Sequence, residues 1–370
     1  MKKIAYLMEY PIDLPGGAQL STEIIASALA LNPEFGYKCV CICPELLSKK
    51  KEDYPFKILT YPMGEKRLPN LIKRIAGFKR IIASEKPDLI HIEMSESLIT
   101  YGFIKGSFKD LPYLYTDRGM YYGYRKRSRI FMDPVLRNAA LIVTTTDRNR
   151  ALWEENSDFG PFTTIPNTIN PLFEKYDPSR KKSGGAFTVG FAGRVCPEKD
   201  WGKVPLVVRA LKDAGLDFRV NLVLSLFEKG DRAFADRLKA DISEIVGRDA
   251  LLYREDLSQE EMSGFYYGTD LFIMTSVFES FGKAAVEAMS RRCAVLSTAV
   301  GGLPEVVGRE ENLYSMQDLS KLVSYVKRVS ESEEALRKEQ DYFFERYLKL
   351  YTSEAYIRRH VEAYDAIIRH

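Results

Sequence analysis

Ser276-Val277-Phe278-Glu279-Ser280-Phe281-Gly282-Lys283-Ala284-Ala285-Val286-Glu287 is the stretch from which the fold can be read. Two carboxylates stand eight residues apart, separated by a Ser-Phe-Gly turn and a run of small residues. Upstream, Leu271-Phe272-Ile273-Met274 reads as a buried strand; downstream, residues 284–289 read as a helix with a small-residue face. Glu279 then falls on a strand-to-helix loop, and Glu287 roughly two turns inside the helix by helical rise. Free N–H groups of Gly282, Lys283 and their neighbours would face whatever lies beside Glu279, an anion site next to a carboxylate. A phosphate suits the first, and the hydroxyls of a sugar or ribose suit the second, because ionised carboxylates accept strongly from hydroxyls. The chemistry suggested is nucleotide-sugar binding. The alternative is plainer: Glu279 as an acid favoured by the helix dipole and Glu287 as a surface helix residue.

Outward from this stretch, buried-strand runs alternate with segments that are apolar at helical spacing. Strand-like runs fall at 3–8, 38–43, 56–61, 89–92, 113–116 and 141–144, with helical patterns at 21–31 and 68–84. The rhythm breaks between 167 and 185, where Pro171, Pro178 and Ser183-Gly184-Gly185 read as a linker. It restarts with strands at 188–192, 219–226, 251–253, 271–275 and 294–297, and helices at 204–214, 233–245 and 282–291. Such alternation predicts an α/β protein of two doubly wound parallel sheets. The expected organisation is an N-terminal domain at 1–170, a linker at 171–185 and a C-terminal domain at 186–345. A final helix at 346–370 is expected to pack back on the first domain. Two such halves place a ligand crevice between them, at the carboxyl ends of the strands.

Composition bounds the function. The 370 residues suffice for two domains, and 45% hydrophobic with 28% charged residues is the balance of a folded globular chain. The net charge of +3, from 54 basic and 51 acidic side chains, makes no case for nucleic acid. No apolar run approaches the ~20 residues that span a bilayer. The apolar start meets Glu9 too early for a signal peptide, so a cytoplasmic protein is expected. Cys39, Cys41 and Cys43 alternate along one strand face, poorly placed to bridge one another, and no histidine joins them. Cys196 and Cys293 stand alone, so neither disulfides nor a structural metal are expected.

A second motif opens the second half: Val189-Gly190-Phe191-Ala192-Gly193-Arg194-Val195-Cys196-Pro197-Glu198-Lys199-Asp200. A strand ends at Gly193, and Arg194 and Lys199 project from the loop that follows. Guanidinium and ammonium together suit a diphosphate and could neutralise the charge that grows as a nucleoside diphosphate departs. Alternatively they are two surface cations on a polar loop.

Taken together, Gly193-Arg194, Lys199, Glu279 and Glu287 resemble the motifs of the large retaining glycosyltransferase family four, of GT-B fold. Other pieces stand in the family's order: Gly16-Gly17, Pro87-Asp88-Leu89-Ile90-His91, Ile165-Pro166-Asn167 and Val300-Gly301-Gly302-Leu303-Pro304-Glu305. The resemblance spans about residues 1–310 and implies two Rossmann-like domains facing a central cleft. It implies that Arg194 and Lys199 hold the donor diphosphate and that Glu279 contacts the transferred sugar. Ser280, Phe281 and Gly282 would touch phosphates or sugar, and Glu287 the ribose. Gly16 and Gly17 would let the N-terminal loop close on diphosphate and acceptor, and Glu305 reads as structural. No metal and no cofactor beyond the nucleotide-sugar co-substrate are implied, with transfer retaining anomeric configuration. The expected function is transfer of a hexose or N-acetylhexosamine from a UDP-sugar to a cell-surface glycan, glycolipid or teichoic-acid-like acceptor.

Three departures stand out. Asp117, in Tyr115-Thr116-Asp117-Arg118-Gly119, occupies the place of a family histidine; it would orient acceptor or sugar, or is a strand-end aspartate without a role. Leu224-Ser225-Leu226-Phe227 replaces a Gly-x-Gly-Pro, which leaves the base pocket open, and Asp200 replaces the glycine that usually follows the lysine. His91 reads as a satisfied strand-end histidine. On the acceptor side, Lys66–Arg80 and Arg125-Lys126-Arg127-Ser128-Arg129 are basic and amphipathic or aromatic-flanked. The first reads as a helix packing on its sheet, the second as a contact for the acceptor. Either could also dock peripherally on an anionic membrane, on the inner face of the cell membrane. Two other functions fit the architecture: a non-catalytic partner subunit, or a sugar-nucleotide epimerase.

Overall fold

The computed structural model describes residues 1–63, 67–182 and 184–369; Lys66 of the first basic stretch and Ser183 lie outside them. The chain folds into two compact units, Met1–Asn167 with Ser353–His370, and Thr168–Thr352.

In the first unit β1 (Lys2–Leu7) leads to α1 (Gly17–Leu31), β2 (Tyr37–Pro44) and β3 (Lys57–Tyr61). Then come α2 (Arg67–Glu85), β4 (Leu89–Glu93), α3 (Ser95–Gly102) and β5 (Tyr113–Asp117). α4 (Lys126–Leu136), β6 (Leu141–Thr144), α5 (Asp147–Asn156) and β7 (Phe162–Thr164) complete the sheet. Its strands run in the order β3-β2-β1-β4-β5-β6-β7, all parallel. Helices cover both faces, so the strands are buried on both sides and read as unbroken apolar runs. α1 begins four residues before the predicted start. The hydroxyls of Ser21 and Thr22 donate back to the carbonyls of Gly17 and Ala18, so these residues sit inside the helix rather than capping it.

The second unit holds β8 (Thr188–Arg194), α6 (Val204–Asp213), β9 (Arg219–Ser225), α7 (Asp231–Val246) and β10 (Leu251–Glu255). There follow α8 (Gln259–Tyr267), β11 (Leu271–Met274), α9 (Lys283–Ser290) and β12 (Ala294–Thr298). α10 (Leu303–Val307), β13 (Leu313–Tyr314), α11 (Ser320–Glu331) and α12 (Glu333–Leu350) close it. The parallel order is β10-β9-β8-β11-β12-β13. Each sheet therefore reverses its winding once, between β1 and β4 and between β8 and β11, and ligands of such sheets bind beyond the carboxyl ends of the strands at that reversal.

Three boundaries differ from the sequence reading. The first unit ends at Asn167, not 170. The stretch at 171–185 is no free linker: Phe173 is fully buried, Arg291 donates to the carbonyls of Leu172 and Phe173, and Lys181 donates to that of Thr269 at 2.6 Å. Aromatic and cationic side chains at a polar, proline-marked sequence thus anchor it to the second sheet. The return to the first unit begins at Ser353, not 346. Arg346 and Tyr351 still hydrogen-bond the carbonyl of Val306, and only α13 (Ser353–Ile368) packs against α1.

α13 is fastened by a buried polar network. The Tyr364 hydroxyl meets that of Tyr6 at 3.0 Å and the Nδ1 of His91 at 2.8 Å, while Thr116 meets the Nε2 of His91 at 2.7 Å. Arg118 grips the fully buried Glu93 with two hydrogen bonds of 2.9 and 2.8 Å and also donates to Tyr356 at 3.1 Å. Burial and the neighbouring Arg118 hold the His91 pKa far below the usual histidine value, so the ring is neutral and satisfied, as its position in the sequence suggested. All five cysteines are free.

Candidate functional site

The predicted donor residues gather at the β8/β11 reversal. Arg194 ends β8 with its side chain exposed, while its carbonyl accepts from the Trp201 indole at 2.7 Å. Lys199 follows in a short turn whose next residue, Asp200, has φ +46° and ψ +49°. That left-handed conformation is what a glycine would adopt freely, and aspartate is among the few other residues that tolerate it. The departure at Asp200 therefore leaves the turn intact. Thr275 Oγ1 donates to the Lys199 carbonyl at 2.8 Å, and Val277 N–H donates to that of Glu198 at 2.9 Å. The two loops are laced together by these bonds.

They bring Lys199 Nζ to 2.7 Å from Glu279 Oε2, with both side chains about one-fifth exposed. An ammonium has three donors, so Lys199 can hold Glu279 and still reach a phosphate oxygen. Glu279 is fixed from behind. Its carbonyl accepts from Gly302 N–H at 2.9 Å, and a Cβ on Gly301, at φ +53°, would lie 1.8 Å from that carbonyl oxygen. The Gly-Gly turn thus exists to let two backbones meet.

Gly282, at φ +101°, caps α9, and Glu287 is its fifth residue, one turn inside rather than two. The Tyr266 hydroxyl donates to Glu287 at 3.0 Å, while burial pushes the Glu287 carboxyl up. Ser280 is half-buried, and the Phe281 ring is buried edge-on to Tyr351, which leaves only its backbone for a ligand. In the loop after β9, Phe227 is exposed, and the N–H groups of Phe227 and Glu228 are held by Asp231.

Gly16 and Gly17 open α1 in the first unit; Gly16 is extended, a conformation open to any residue. Asp117 requires correction. It is fully buried, one oxygen taking Gly119 N–H and the Tyr124 hydroxyl, the other Asn149 at 2.9 Å and Trp153 at 2.7 Å. Four protein donors saturate it, so it positions the loop after β5 and does not reach a ligand. Arg74, counted in the basic stretch, is also buried, whereas Lys73, Lys79 and Arg80 are exposed. Tyr266, Thr275 and the tie of Gly302 to Glu279 were missed from sequence; only the glycine doublet carried a signal.

Two family models match nearly the whole chain, Glycosyltransferase Family 4 over residues 15–172 and Glycosyl transferases group 1 over residues 173–343. The chain belongs to glycosyltransferase family 4. Among the curated members it resembles, the 2-deoxystreptamine glucosyltransferase of Streptomyces kanamyceticus is 30% identical over 207 residues, 52% of either chain. This family 4 chain thus spans about half that relative's length. Sucrose-phosphate synthase from Thermosynechococcus elongatus superposes with a TM-score of 0.80 at 19% identity, covering all of both chains. Anabaena Alr3699/HepE, in complex with UDP, gives 0.80 at 15% identity over 99% of this chain and all of that one. Likeness at these identities speaks for the fold, two parallel-sheet Rossmann-like units of GT-B type.

Proposed function

We propose that this family 4 chain is a retaining glycosyltransferase that moves a hexose or N-acetylhexosamine from a UDP-sugar to a hydroxyl of a glycan, glycolipid or related polymer acceptor. The observation that carries the reading is the Lys199–Glu279 pair at the β8/β11 reversal, beside Arg194 and the start of α9. Lys199 and Arg194 neutralise the diphosphate as the bond from its oxygen to the sugar carbon breaks. The positive end of the α9 dipole adds favourable potential there, so the charge is met without a metal ion. Glu279 accepts from sugar hydroxyls, and Glu287, oriented by Tyr266, accepts from the ribose. The acceptor oxygen bonds to the sugar carbon on the face the diphosphate leaves, and its proton passes to the departing phosphate. A uridine nucleotide is supported by Alr3699/HepE, a fold relative with structures holding UDP and UDP-glucose.

No helix among the described residues is long and apolar enough to cross a membrane. Peripheral contact with an anionic membrane is supported by the exposed face around α4, where Tyr122, Ile130 and Phe131 stand out beside Arg125, Lys126 and Arg127. Arg129 is not part of it, being stacked on Tyr121 and paired with Asp133.

A nucleotide-sugar panel tests the function. One donor is expected both to raise the melting temperature and to release free nucleoside diphosphate, because a ligand of the folded state stabilises it. Glu279→Ala is expected to keep the fold and lose turnover. Binding without turnover in the presence of acceptors would favour a non-catalytic subunit.

A further inference from the structure

The helix α10 sits directly behind Glu279. It has five residues, and so short a helix is not stable by itself. Its entry is the Gly301-Gly302 turn, where Gly302 N–H donates to the Glu279 carbonyl at 2.9 Å. Its first residue, Leu303, fills the space that a Cβ on Gly282 would need, so it also backs the start of α9. Whatever fixes α10 therefore fixes Glu279 and Gly282.

The far end of α10 shows how it is held. The last four carbonyls of a helix find no partner within it. Here that of Pro304 accepts from Gly308 N–H at 2.9 Å, and the other three are met from α12 and its C-cap. Arg346 donates through Nη2 to the Glu305 carbonyl at 2.6 Å and through Nε to that of Val306 at 2.8 Å. Tyr342 reaches the Val307 carbonyl and Tyr351 that of Val306, each at 3.3 Å. The two short bonds come from the charged donor, and charge-assisted bonds are about twice as strong as neutral ones. The guanidinium also faces the negative end of the helix dipole. Gly308 leaves it room, since a Cβ there would run into the Arg346 guanidinium.

We propose that Arg346 is a positioning residue for Glu279. By gripping the carboxyl end of α10 it sets where Gly302 meets the Glu279 carbonyl and where Leu303 meets the start of α9, and through them the aim of the Glu279 carboxylate. The role of Glu279 at the sugar rests on the transferase reading above; the tie from Arg346 to Glu279 rests on the geometry alone.

Arg346→Ala and Arg346→Lys in the full chain test it, with Lys349→Ala, at an exposed residue of the same helix, as control. The first readout needs no substrate: amide exchange at Gly302, whose N–H bonds the Glu279 carbonyl. Arg346→Ala is expected to speed it about tenfold or more while the amides of β11 keep their protection. The second readout is turnover of UDP-glucose, or of whichever donor of the panel is active, set against the Kd for UDP. Arg346→Ala should lower kcat about tenfold to a hundredfold, the scale of a misplaced reacting geometry, and leave the Kd within about twofold. Guanidinium ion at a non-denaturing millimolar concentration should restore part of that turnover, because the gap left beside Gly308 has its shape. Arg346→Lys should move both readouts the same way by less, since an ammonium cannot direct two parallel bonds. It carries the test if the alanine variant does not fold. Lys349→Ala should match the wild type. Unchanged exchange at Gly302, faster exchange with wild-type kcat, or a loss of UDP affinity as large as the loss of kcat would each overturn the proposal. A wild-type protein that turns over no nucleotide-sugar would sink the transferase reading instead, and exchange at Gly302 would still decide whether Arg346 holds Glu279.

Discussion

The two sheet reversals share one topology and treat charge in opposite ways. At β1/β4 the acids are drawn inward: Glu93 is fully buried under Arg118, and Glu9 closes the start of α3. At β8/β11 the acid and its cation stay at the surface, Glu279 and Lys199 each about one-fifth exposed. A buried charge must be matched by protein, whereas a partly exposed pair can exchange water for a ligand at lower cost. The first reversal therefore uses most of its charge to hold the unit together and fasten α13, and the second keeps its charge available for chemistry. Substitutions at the first should cost stability, and those at the second activity.

The largest effect is expected at Glu93. Glu93→Ala leaves the Arg118 guanidinium buried without its partner and should cost ~3–5 kcal/mol of stability, read by denaturant unfolding. A loss under ~1 kcal/mol, the scale of surface pairs, would break the contrast. At the other reversal, Lys199→Ala should lower donor turnover about 10²–10³-fold, the scale of removing one preorganised donor from developing charge. Its melting temperature should stay at the wild-type value; a large drop would make the pair structural.

Gly301→Ala sharpens the comparison from within the second unit. The added Cβ meets the Glu279 carbonyl at a left-handed backbone position, so ~1–3 kcal/mol of strain is expected together with reduced turnover. Stability loss with unchanged kcat would show that Glu279 does not need the turn. A further effect, read against pH, is expected at Glu9. Burial, then the charge of Glu96, raise its carboxyl from 4.5 to about 7, so the folded state holds the proton over that window. This contribution to stability is whole below 4.5 and is lost as pH rises through about 7. Glu9→Gln should flatten that part of the stability profile, measured as unfolding midpoints across the window.

The sequence alone determined what is local. Continuous apolar runs marked most of the strands, their alternation with helices marked two doubly wound sheets, and Glu279 fell on the loop before a helix as its neighbours required. α3, α4 and α5 were not read, since α4 holds Pro134 and α5 buries little more than Asn149 and Trp153. Only the tertiary structure decided what each charge does. Asp117, read in the place of a family histidine or as a strand-end aspartate without a role, is saturated by Asn149 and Trp153 arriving from α5. Arg74 looked like a surface cation until Thr100 and Glu96 closed over it. Lys199 meets Glu279 across eighty residues, and Tyr266 meets Glu287 across twenty-one. In a parallel sheet neighbouring strands are joined through crossovers, so such partners are distant in sequence and adjacent only after folding.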